Sequence, residues 1–380
     1  MYSLQGYEEM VDDSVRMTAY AAALQAVISP TSIVVDLGAG TGVMSLLACQ
    51  YGAKRVYAIE PNDAVVVARQ NAAANGMSDR ISFLQGVSTA IELPEKADVV
   101  VADLRGVLPL FNDNINSLIH ARDNLVAPGG ALIPQRDRLW TAVISLPEAT
   151  KSHEGWNRSS CGLSLSAANQ YLVNRPRKHR PAREQLLTAP ACWATLDYAT
   201  IQSPHVANVV DFRVNRSGVA AGIAMWFDAT LWGDIGFSNR PDKNQAIYGA
   251  YLFPLSRSID VEAGDSIRVA ITARHQQEDY LWQWDTVIRS RNSGDIRAAF
   301  QQSSFFGTPL VAERLRKTAD KYRPDLSVDG RITHFILSLM NGSRDNGSIA
   351  ESVVREFPAR FPDLQSALTR VGQVCRQFCE

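Results

Sequence analysis

The stretch Ile33-Val-Val-Asp-Leu-Gly-Ala-Gly-Thr-Gly42 restricts the possible folds of this chain more than any other feature. Its first three residues are β-branched, so they predict a strand that is buried on both faces of a sheet. Gly38, Gly40 and Gly42 then permit a sharp turn into a helix, because glycine tolerates positive φ and leaves room for a ligand against the backbone. A second strand is expected at Arg55–Glu60, and it ends in a carboxylate. A strand, a glycine turn, a helix and an acid about 20 positions beyond the glycines together indicate a nucleotide-type cofactor.

The carboxylate of Asp36 distinguishes this turn from a dinucleotide site. A dinucleotide site uses the pattern G-x-G-x-x-G to place a pyrophosphate on a helix N-terminus, whereas here the order is Asp36-x-Gly38-x-Gly40-x-Gly42. Asp36 would repel a pyrophosphate, but it can hold the cationic amino-acid part of S-adenosyl-L-methionine, directly or through water. Glu60 is placed to bind the two ribose hydroxyls. The pattern resembles motif I of the class I methyltransferases, and that resemblance implies S-adenosyl-L-methionine as the cofactor.

Residues 1–30 are expected to form helices that lie across the cofactor cleft as a lid. The run Tyr7–Tyr20 resembles the Y-x-x-H-x-x-M-L-x-D-x-x-R-x-x-x-Y pattern at the N-terminus of the protein arginine methyltransferases. The resemblance implies that Arg16 binds the carboxylate of the methyl donor, since a guanidinium makes two parallel hydrogen bonds to a carboxylate. It also places Tyr7 and Met10 at the donor, although Tyr7 stands where the family usually has His. The alternative for Arg16 is a solvated charge on a helix surface.

Residues 31–137 are predicted to form a doubly wound α/β domain, since strands and helices alternate along this stretch. We expect a helix at Ala64–Asn75, strands at Ile81–Leu84 and Ala97–Asp103, and a turn into a fifth strand at Ala127–Pro134. The expected fold class is α/β with a Rossmann-type sheet, and ligands bind such sheets beyond the carboxyl ends of the strands.

The segment Gly86–Pro94 is expected to lie along the adenine of the donor. The arginine methyltransferases have a Val-Glu pair in this segment, and it aligns with Ser88 and Thr89. The Glu that usually binds adenine is therefore replaced. The resemblance leaves Thr89 or a backbone amide to take its part.

Asp103 ends the fourth predicted strand, at the edge of the sheet where chemistry takes place in this fold. The segment Ala102–Asn112 is similar to the double-Glu loop of the arginine methyltransferases, S-E-W-M-G-Y-x-L-x-x-E, whose two carboxylates hold the substrate guanidinium. Here the first acid is Asp103, the second is replaced by Asn112, and Arg105 stands where the family has Met. The resemblance implies that Asp103 orients the methyl acceptor, with Asn112 and Arg105 as its neighbours.

The altered pair leaves the acceptor open. An arginine side chain stays protonated because its pKa lies above about 12, and one shortened carboxylate would hold it less firmly than two. Arg105 could instead hold a carboxylate of the substrate. N-methylation of arginine in a peptide or protein is the first expectation. The alternatives are methylation of a peptide carboxylate or amide, methylation of a small metabolite, and a donor-binding pseudoenzyme that recruits a partner.

Residues 138–289 are predicted to be a β-domain, because alternating polar and apolar residues recur through them. Gly222–Leu231 resembles the β-barrel that follows the Rossmann domain in this family. The family's His-Trp pair, which completes the substrate pocket, falls near Ala246–Ile247 and is missing.

An inserted arm is expected at about residues 165–186, where the basic run Asn174–Arg183 interrupts the strand pattern. Its place matches the helical arm through which these enzymes form head-to-tail dimers, so the resemblance implies a homodimer. The alternatives are a surface loop with solvated charges and a docking strip for an acidic peptide.

Residues 290–325 are interpreted as a linker, and residues 326–380 as a small helical module. Helices are expected at Ile332–Gly342, Ser348–Phe357 and Leu364–Phe378. Their pattern resembles the winged-helix peptide chaperones of pyrroloquinoline quinone biosynthesis, which hold the leader of a ribosomally made precursor peptide while an enzyme modifies it. The resemblance implies a peptide substrate bound by this module; a helical cap without a ligand is the alternative.

Composition excludes several other classes of function. The 38 basic and 39 acidic residues nearly balance, so the chain has no general excess of positive charge that would bind nucleic acid. No apolar run is long enough to span a bilayer, and nothing resembles a signal peptide. Five scattered cysteines suit a reducing cytoplasm better than a disulfide framework, and no metal site is expected from their surroundings.

Overall fold

The computed structural model describes residues 3–146, 156, 162–241 and 246–379. The chain divides into two compact units, Met1–Pro309 and Leu310–Glu380. The first unit contains the parallel sheet and the β-domain together.

The first unit begins with a doubly wound parallel sheet, and the predicted fold class is confirmed. Its five parallel strands lie in the order β3-β2-β1-β4-β5. The strands are β1 (Ile33–Leu37), β2 (Arg55–Ile59), β3 (Ile81–Leu84), β4 (Ala97–Ala102) and β5 (Val126–Ile133). The accompanying helices are α1 (Leu4–Asp12), α2 (Ser14–Val27), α3 (Val43–Gln50), α4 (Ala64–Ala74) and α5 (Asn114–His120). The middle strands are buried on both faces, as their runs of valine require.

Two antiparallel sheets follow, and side chains from both contribute to one core. The first has the order β7-β12-β10-β6-β8, with β11 paired to β10, and the second has the order β15-β14-β13-β9. Their strands are β6 (Arg136–Ser145), β7 (Arg177–His179), β8 (Ala191–Asp197), β9 (Val206–Arg213), β10 (Gly218–Trp232), β11 (Ile235–Ser238), β12 (Ala250–Val261), β13 (Ser266–Gln276), β14 (Asp279–Arg289) and β15 (Ile296–Ser303). Large buried aromatic side chains fill the core, among them Trp193, Phe253 and Trp284.

Strand β15 lies inside the stretch interpreted as a linker. It pairs with β14 from Gln283↔Ser303 to Arg289↔Ile296, so the β-domain continues to at least residue 303. The sequence Ile296-Arg-Ala-Ala-Phe-Gln-Gln-Ser303 has few large apolar residues. A strand that packs only one face against the core needs few such residues, and the linker interpretation was wrong there for that reason.

The expected arm is not a helix through its basic run. A short helix, α6 (Asn169–Leu172), precedes the edge strand β7, whose residues pair with β12. Single 3-10 turns lie on either side, at Ser166–Ala168 and Arg183–Gln185. Charged side chains are typical of edge strands, where they discourage unwanted pairing. The basic run therefore contains a three-residue strand, Arg177–His179, and the expected helix lies ahead of it.

The second unit is helical and has a core of its own. It contains α7 (Ala312–Arg316), α8 (Val328–Leu339), α9 (Asn346–Glu356) and α10 (Leu364–Phe378). Side chains of Ser327, Asp345 and Asp363 cap the last three helices by accepting from backbone amides of the first turn. Residues 310–379 contain no strand, so the wing of a winged helix is not present in them.

In the described part of the chain, no helix is both long and apolar enough to cross a membrane.

Candidate functional site

The glycine turn after β1 has the backbone that its sequence requires. Gly38, Gly40 and Gly42 all have positive φ, at 74°, 53° and 86°. A Cβ on Gly38 would lie 2.2 Å from Leu104 Cδ2, and one on Gly40 would lie 2.6 Å from Tyr7 Cε1. Larger residues would therefore be strained and would also clash at these two positions. Gly42 precedes α3 directly and begins that helix.

Glu60 is bound to this turn from the end of β2. Its Oε2 accepts a hydrogen bond from Gly40 N at 2.8 Å, and its Oε1 accepts from Asn62 N at 2.9 Å and from Asn62 Nδ2 at 2.8 Å. Each carboxylate oxygen has two lone pairs. Oε2 therefore retains one acceptor site that a ribose hydroxyl can use.

Asp36 lies buried beneath the same turn. Its Oδ2 accepts from Ser45 N at 2.9 Å and from Ser45 Oγ at 2.6 Å. No described residue donates a hydrogen bond to its Oδ1. Burial raises the pKa of Asp36 to about 6, although the two bonds from Ser45 act in the opposite direction. A cationic group placed against this carboxylate would stabilise its ionised form.

Arg16, on α2, contacts the acceptor side of the cleft. Its Nε donates to Asp103 Oδ2 and, at 3.2 Å, to Tyr248 Oη, while its Nη1 donates to Met10 O at 2.9 Å. The reading of Arg16 as a solvated charge is wrong, because only 7 % of the residue is exposed. Burial alone would lower the pKa of Arg16, but the charge of Asp103 raises it well above its ordinary value. No described residue accepts from its Nη2, which leaves a donor for a second anion.

Asp103 stands one residue past the end of β4 with both oxygens engaged. Besides Arg16, Tyr248 donates to its Oδ2 at 2.7 Å, and Arg105 Nη1 donates to its Oδ1 at 3.2 Å. Burial alone would raise the pKa of Asp103, but the nearby charges of Arg16 and Arg105 and the Tyr248 hydrogen bond bring it below its ordinary value. The carboxylate is therefore ionised and fixed in orientation.

Arg105 does not face the cleft, contrary to the expectation that it could hold a substrate carboxylate. It is 2 % exposed, and its Nη2 donates to both oxygens of Asp137 on β6, at 2.9 and 3.0 Å. Its Nη1 donates to Tyr20 Oη at 2.6 Å. A guanidinium held by a buried carboxylate in this bidentate manner joins the parallel sheet to the β-domain. Arg105 thus helps to fix the orientation of Asp103, to which it also donates a hydrogen bond.

The remaining predicted residues are spread around the cleft. Tyr7 covers Gly40, and Met10 contributes its carbonyl to Arg16. Ser88 is buried and Thr89 is exposed, both in a 3-10 turn at Ser88–Ala90. Asn112 is exposed with φ at 43°, and no hydrogen bond described here joins it to Asp103. The structure thus groups Arg16 with Asp103 and leaves Asn112 outside that group.

Tyr248, like Asp137, is a residue of this site that the sequence patterns did not indicate. It follows Ala246–Ile247, where the family's His-Trp pair is missing, and its ring packs between Phe227 and Phe237 with centroid distances of 5.3 and 5.9 Å. Burial raises the pKa of Tyr248 well above its ordinary value, so the phenol stays protonated and donates to Asp103. The family pattern marked this segment, but nothing in the sequence indicated a partner 145 positions away.

Two positive and two negative side chains therefore meet at the junction of α2, β4 and β6. They are Arg16, Arg105, Asp103 and Asp137, and ion pairs connect them in a row. The first unit thus joins a parallel sheet with a glycine turn to an antiparallel β-domain, and the ion pair of Arg105 with Asp137 connects the two.

Comparisons with known proteins agree with this fold. A family model described as ribosomal protein L11 methyltransferase (PrmA) matches residues 18–156. The chain is 32 % identical over 248 residues to a probable protein arginine N-methyltransferase 6 of Arabidopsis thaliana, which covers 63 % of this chain and 56 % of the relative. It is 28 % identical over 276 residues to protein arginine N-methyltransferase 1 of Schizosaccharomyces pombe, covering 70 % and 81 %. The chain thus spans little more than half of the first of these relatives.

Solved structures give the same result at the level of the fold. Protein arginine methyltransferase 10 of Arabidopsis thaliana superimposes with a TM-score of 0.72 at 21 % identity, over 79 % of this chain and 97 % of that one. A structure of PRMT6 with SAH superimposes with a TM-score of 0.61 at 21 % identity, over 75 % of this chain and all of that one.

Proposed function

We propose that this chain is an S-adenosyl-L-methionine-dependent methyltransferase of the arginine methyltransferase type. Its acceptor is a side chain of a peptide or protein, with arginine as the first candidate. The observation that carries the proposal is the position of Asp103. Its ionised carboxylate lies at the carboxyl end of β4, held by Arg105 and Tyr248, and it shares Arg16 with the donor side of the cleft.

The residues of the glycine turn fit the donor. Oδ1 of Asp36, to which no described residue donates, suits an ammonium group, and the remaining acceptor site on Glu60 Oε2 suits a ribose hydroxyl. Arg16 Nη2 suits a carboxylate. The relatives named above support this cofactor, and one solved neighbour is a complex with SAH.

Chemistry at this site depends mainly on positioning. S-adenosyl-L-methionine supplies, when bound, a methyl group on a sulfonium that leaves readily. Asp103 would hold the acceptor nitrogen so that its lone pair points at that methyl group. The N–C bond would form as the S–C bond breaks, SAH would be the leaving group, and the methylated nitrogen would release its proton to water. Fixing two reactants in this way can supply about 7–11 kcal/mol of barrier reduction. Buried contacts on both oxygens of Asp103 keep the carboxylate from rotating.

An acceptor without a positive charge is the second candidate. Asn112 is uncharged and exposed where the family has its second acid, so this position offers no negative charge to a guanidinium. An amide, a peptide carboxylate or a small metabolite does not need that charge. We also propose, from the resemblance of the second unit, that residues 326–380 hold the leader of a ribosomally made precursor peptide. From the resemblance of the arm at about residues 165–186, we propose a homodimer formed through its helical part, α6. A donor-binding pseudoenzyme would share the donor site but would transfer nothing.

The proposed function is tested by donor binding and by methyl transfer. We expect calorimetry to give SAH an affinity at least about tenfold lower for Glu60→Ala than for the wild type, because losing a hydrogen bond to a charged group costs about 1.5–3 kcal/mol. Asp103→Asn should bind SAH within about threefold of the wild type and lose transfer to an arginine-glycine peptide.

A peptide with lysine in place of arginine is the matched substrate control. Equal methyl transfer to both peptides would mean that the enzyme accepts nitrogen side chains in general and is not specific for arginine. SAH binding without transfer to either peptide would favour the second candidate or the pseudoenzyme, and equal SAH affinity in Glu60→Ala would remove the donor-site assignment.

A further inference from the structure

A cavity of about 360 Å³ lies in the β-domain between α6, β7 and β12. Its apolar wall includes Leu146 and Ala221, and its polar wall includes Arg177, Arg257, Ser256 and Ser258. None of the described residues that line the cavity is acidic. Two arginines and two serines thus line one space, and the other described residues of its lining are uncharged.

Arg177 is a partly buried cation whose guanidinium has no partner in the described part of the chain. Burial lowers the pKa of Arg177, and no neighbouring acid counteracts that effect. Arg105 and Arg297, by contrast, each pair with a buried aspartate, at 2.9 and 2.7 Å. Burying an unpaired charge is unfavourable, and such a group in a native structure requires an explanation. An anion bound in the cavity would provide that partner.

The walls of the cavity are held by hydrogen bonds from β15. Gln302 Nε2 donates to Val173 O at 2.6 Å, and Gln302 Oε1 accepts from Ser256 N at 3.1 Å. One side chain therefore links the segment after α6 to β12 behind the cavity. The space does not have to form when a ligand arrives.

The strand beside the cavity has a free edge and a positive charge. Among the residues that the structure describes, β7 is the last strand of its sheet and pairs only with β12, so no described strand covers the backbone groups of its other edge. Lys178 and Arg180 on and next to this strand are exposed. An extended peptide can add to such an edge by backbone hydrogen bonds, while a pocket selects one of its side chains.

We propose that the cavity between α6, β7 and β12 binds the carboxylate of an acidic peptide that lies along the free edge of β7. The carboxylate receives hydrogen bonds from Arg177 and Arg257, and a guanidinium matches a carboxylate with two parallel bonds. This site is distinct from the cleft at Asp103, and it does not depend on the proposed methyl transfer.

Fluorescence anisotropy with a labelled hexaglutamate peptide tests the proposal on the full chain. We expect the wild type to bind it, with affinity that falls as salt is added, and a hexaglutamine peptide not to bind. Arg177→Gln should lower the affinity for the hexaglutamate peptide at least about tenfold, and Arg257→Gln should lower it as well. Both variants should keep the SAH affinity of the wild type, which demonstrates an intact fold.

Arg268→Gln is the matched control, because it removes the same charge from an exposed arginine of the other sheet. The affinity of this variant for hexaglutamate should stay within about twofold of that of the wild type. Equal weakening by Arg268→Gln would overturn the site in favour of general attraction, and a wild type that does not bind hexaglutamate would overturn it outright. Displacement of the peptide by millimolar inorganic phosphate would reassign the cavity to small anions. A wild-type dimer that dissociates in Arg177→Gln, seen by light scattering, would assign this edge to a second copy of the chain instead.

Discussion

The protonation of Asp36 should govern how tightly the methyl donor binds. Burial raises its pKa to about 6 in the free protein. At pH 5 most Asp36 carries a proton and offers no charge to an ammonium group, whereas at pH 7 most of it is ionised. Donor affinity should therefore increase about tenfold from pH 5 to pH 7 and level off above that. Calorimetry with SAH across this range measures the change.

Asp36→Asn is the control for that prediction. Its SAH affinity should be lower than that of the wild type and flat between pH 5 and pH 7, because the titrating group is gone. A wild-type affinity that does not vary with pH would mean that Asp36 does not face the ammonium group. The same pKa makes Asp36 destabilise the free protein as pH rises from about 4 to about 6, since the unfolded carboxyl ionises first.

Tyr248 should set the acidic limit of methyl transfer. Its hydrogen bond to Asp103, at 2.7 Å, lowers the pKa of that carboxyl. Tyr248→Phe removes the bond, so the acidic limb of the kcat/KM profile should move to higher pH, and kcat/KM at neutral pH should fall about tenfold. Rates with an arginine-glycine peptide, measured from pH 5 to pH 9, test both effects.

Tyr251→Phe gives the matched comparison. Tyr251 is partly buried three residues further on, and no hydrogen bond described here involves its hydroxyl. This variant should keep the wild-type profile. If Tyr248→Phe kept it as well, Tyr248 would be a packing residue of the aromatic cluster and would have no part in holding Asp103.

At the scale of elements, the parts that could be predicted are those whose pattern is local. Strand β1, its glycine turn and α3 are encoded by neighbouring residues, since apolar runs and glycines act over a few positions. The pairing of Arg16 with Asp103 spans 87 positions. It arises only because α2 packs across the end of β4, and no periodicity in the sequence reports that packing.

Asp13 illustrates how elements from distant parts of the chain meet at the site. Its Oδ1 caps α2 by accepting from Arg16 N at 3.1 Å, and its Oδ2 accepts from Ile247 N at 2.7 Å. The break between α1 and α2 is thereby attached to the segment that carries Tyr248. The sequence indicated the lid helices and the altered His-Trp segment separately, but their contact depends on how the two domains dock.

The two edge strands β7 and β15 were missed for a shared physical reason. Strand prediction relies on alternating apolar residues, and an edge strand with charged or small side chains contains few of them. Arg177–His179 reads as a charged loop or arm, and Ile296–Ser303 reads as a linker. Both acquire their conformation from the neighbouring strands β12 and β14.

At the scale of the whole molecule, the second unit should be separable from the first. The core of Leu310–Glu380 consists of side chains from α8, α9 and α10 with Phe361, distinct from the cores of the first unit. A chain that ends at Pro309 should therefore fold and bind SAH within about threefold of the full chain. Calorimetry and thermal unfolding of the shortened chain measure this.

The proposed peptide-binding role of that unit predicts a different response for long and short substrates. Holding a leader raises the local concentration of the acceptor to the millimolar range, so the shortened chain should show a much higher KM for a full-length precursor. Its turnover of a short core fragment should stay near that of the full chain. Equal loss with both substrates would indicate that the unit only supports the fold.

Arg16 distributes one positive charge between two sites. In the structure its Nε neutralises Asp103, while Nη2 remains for the donor carboxylate. Under the proposed function, donor binding draws part of that charge away and makes Asp103 a stronger attractor for a cationic acceptor. The acceptor, by engaging Asp103, in turn leaves Arg16 more available to the donor. Donor and acceptor are then heterotropic partners, each raising the affinity of the other by the same factor.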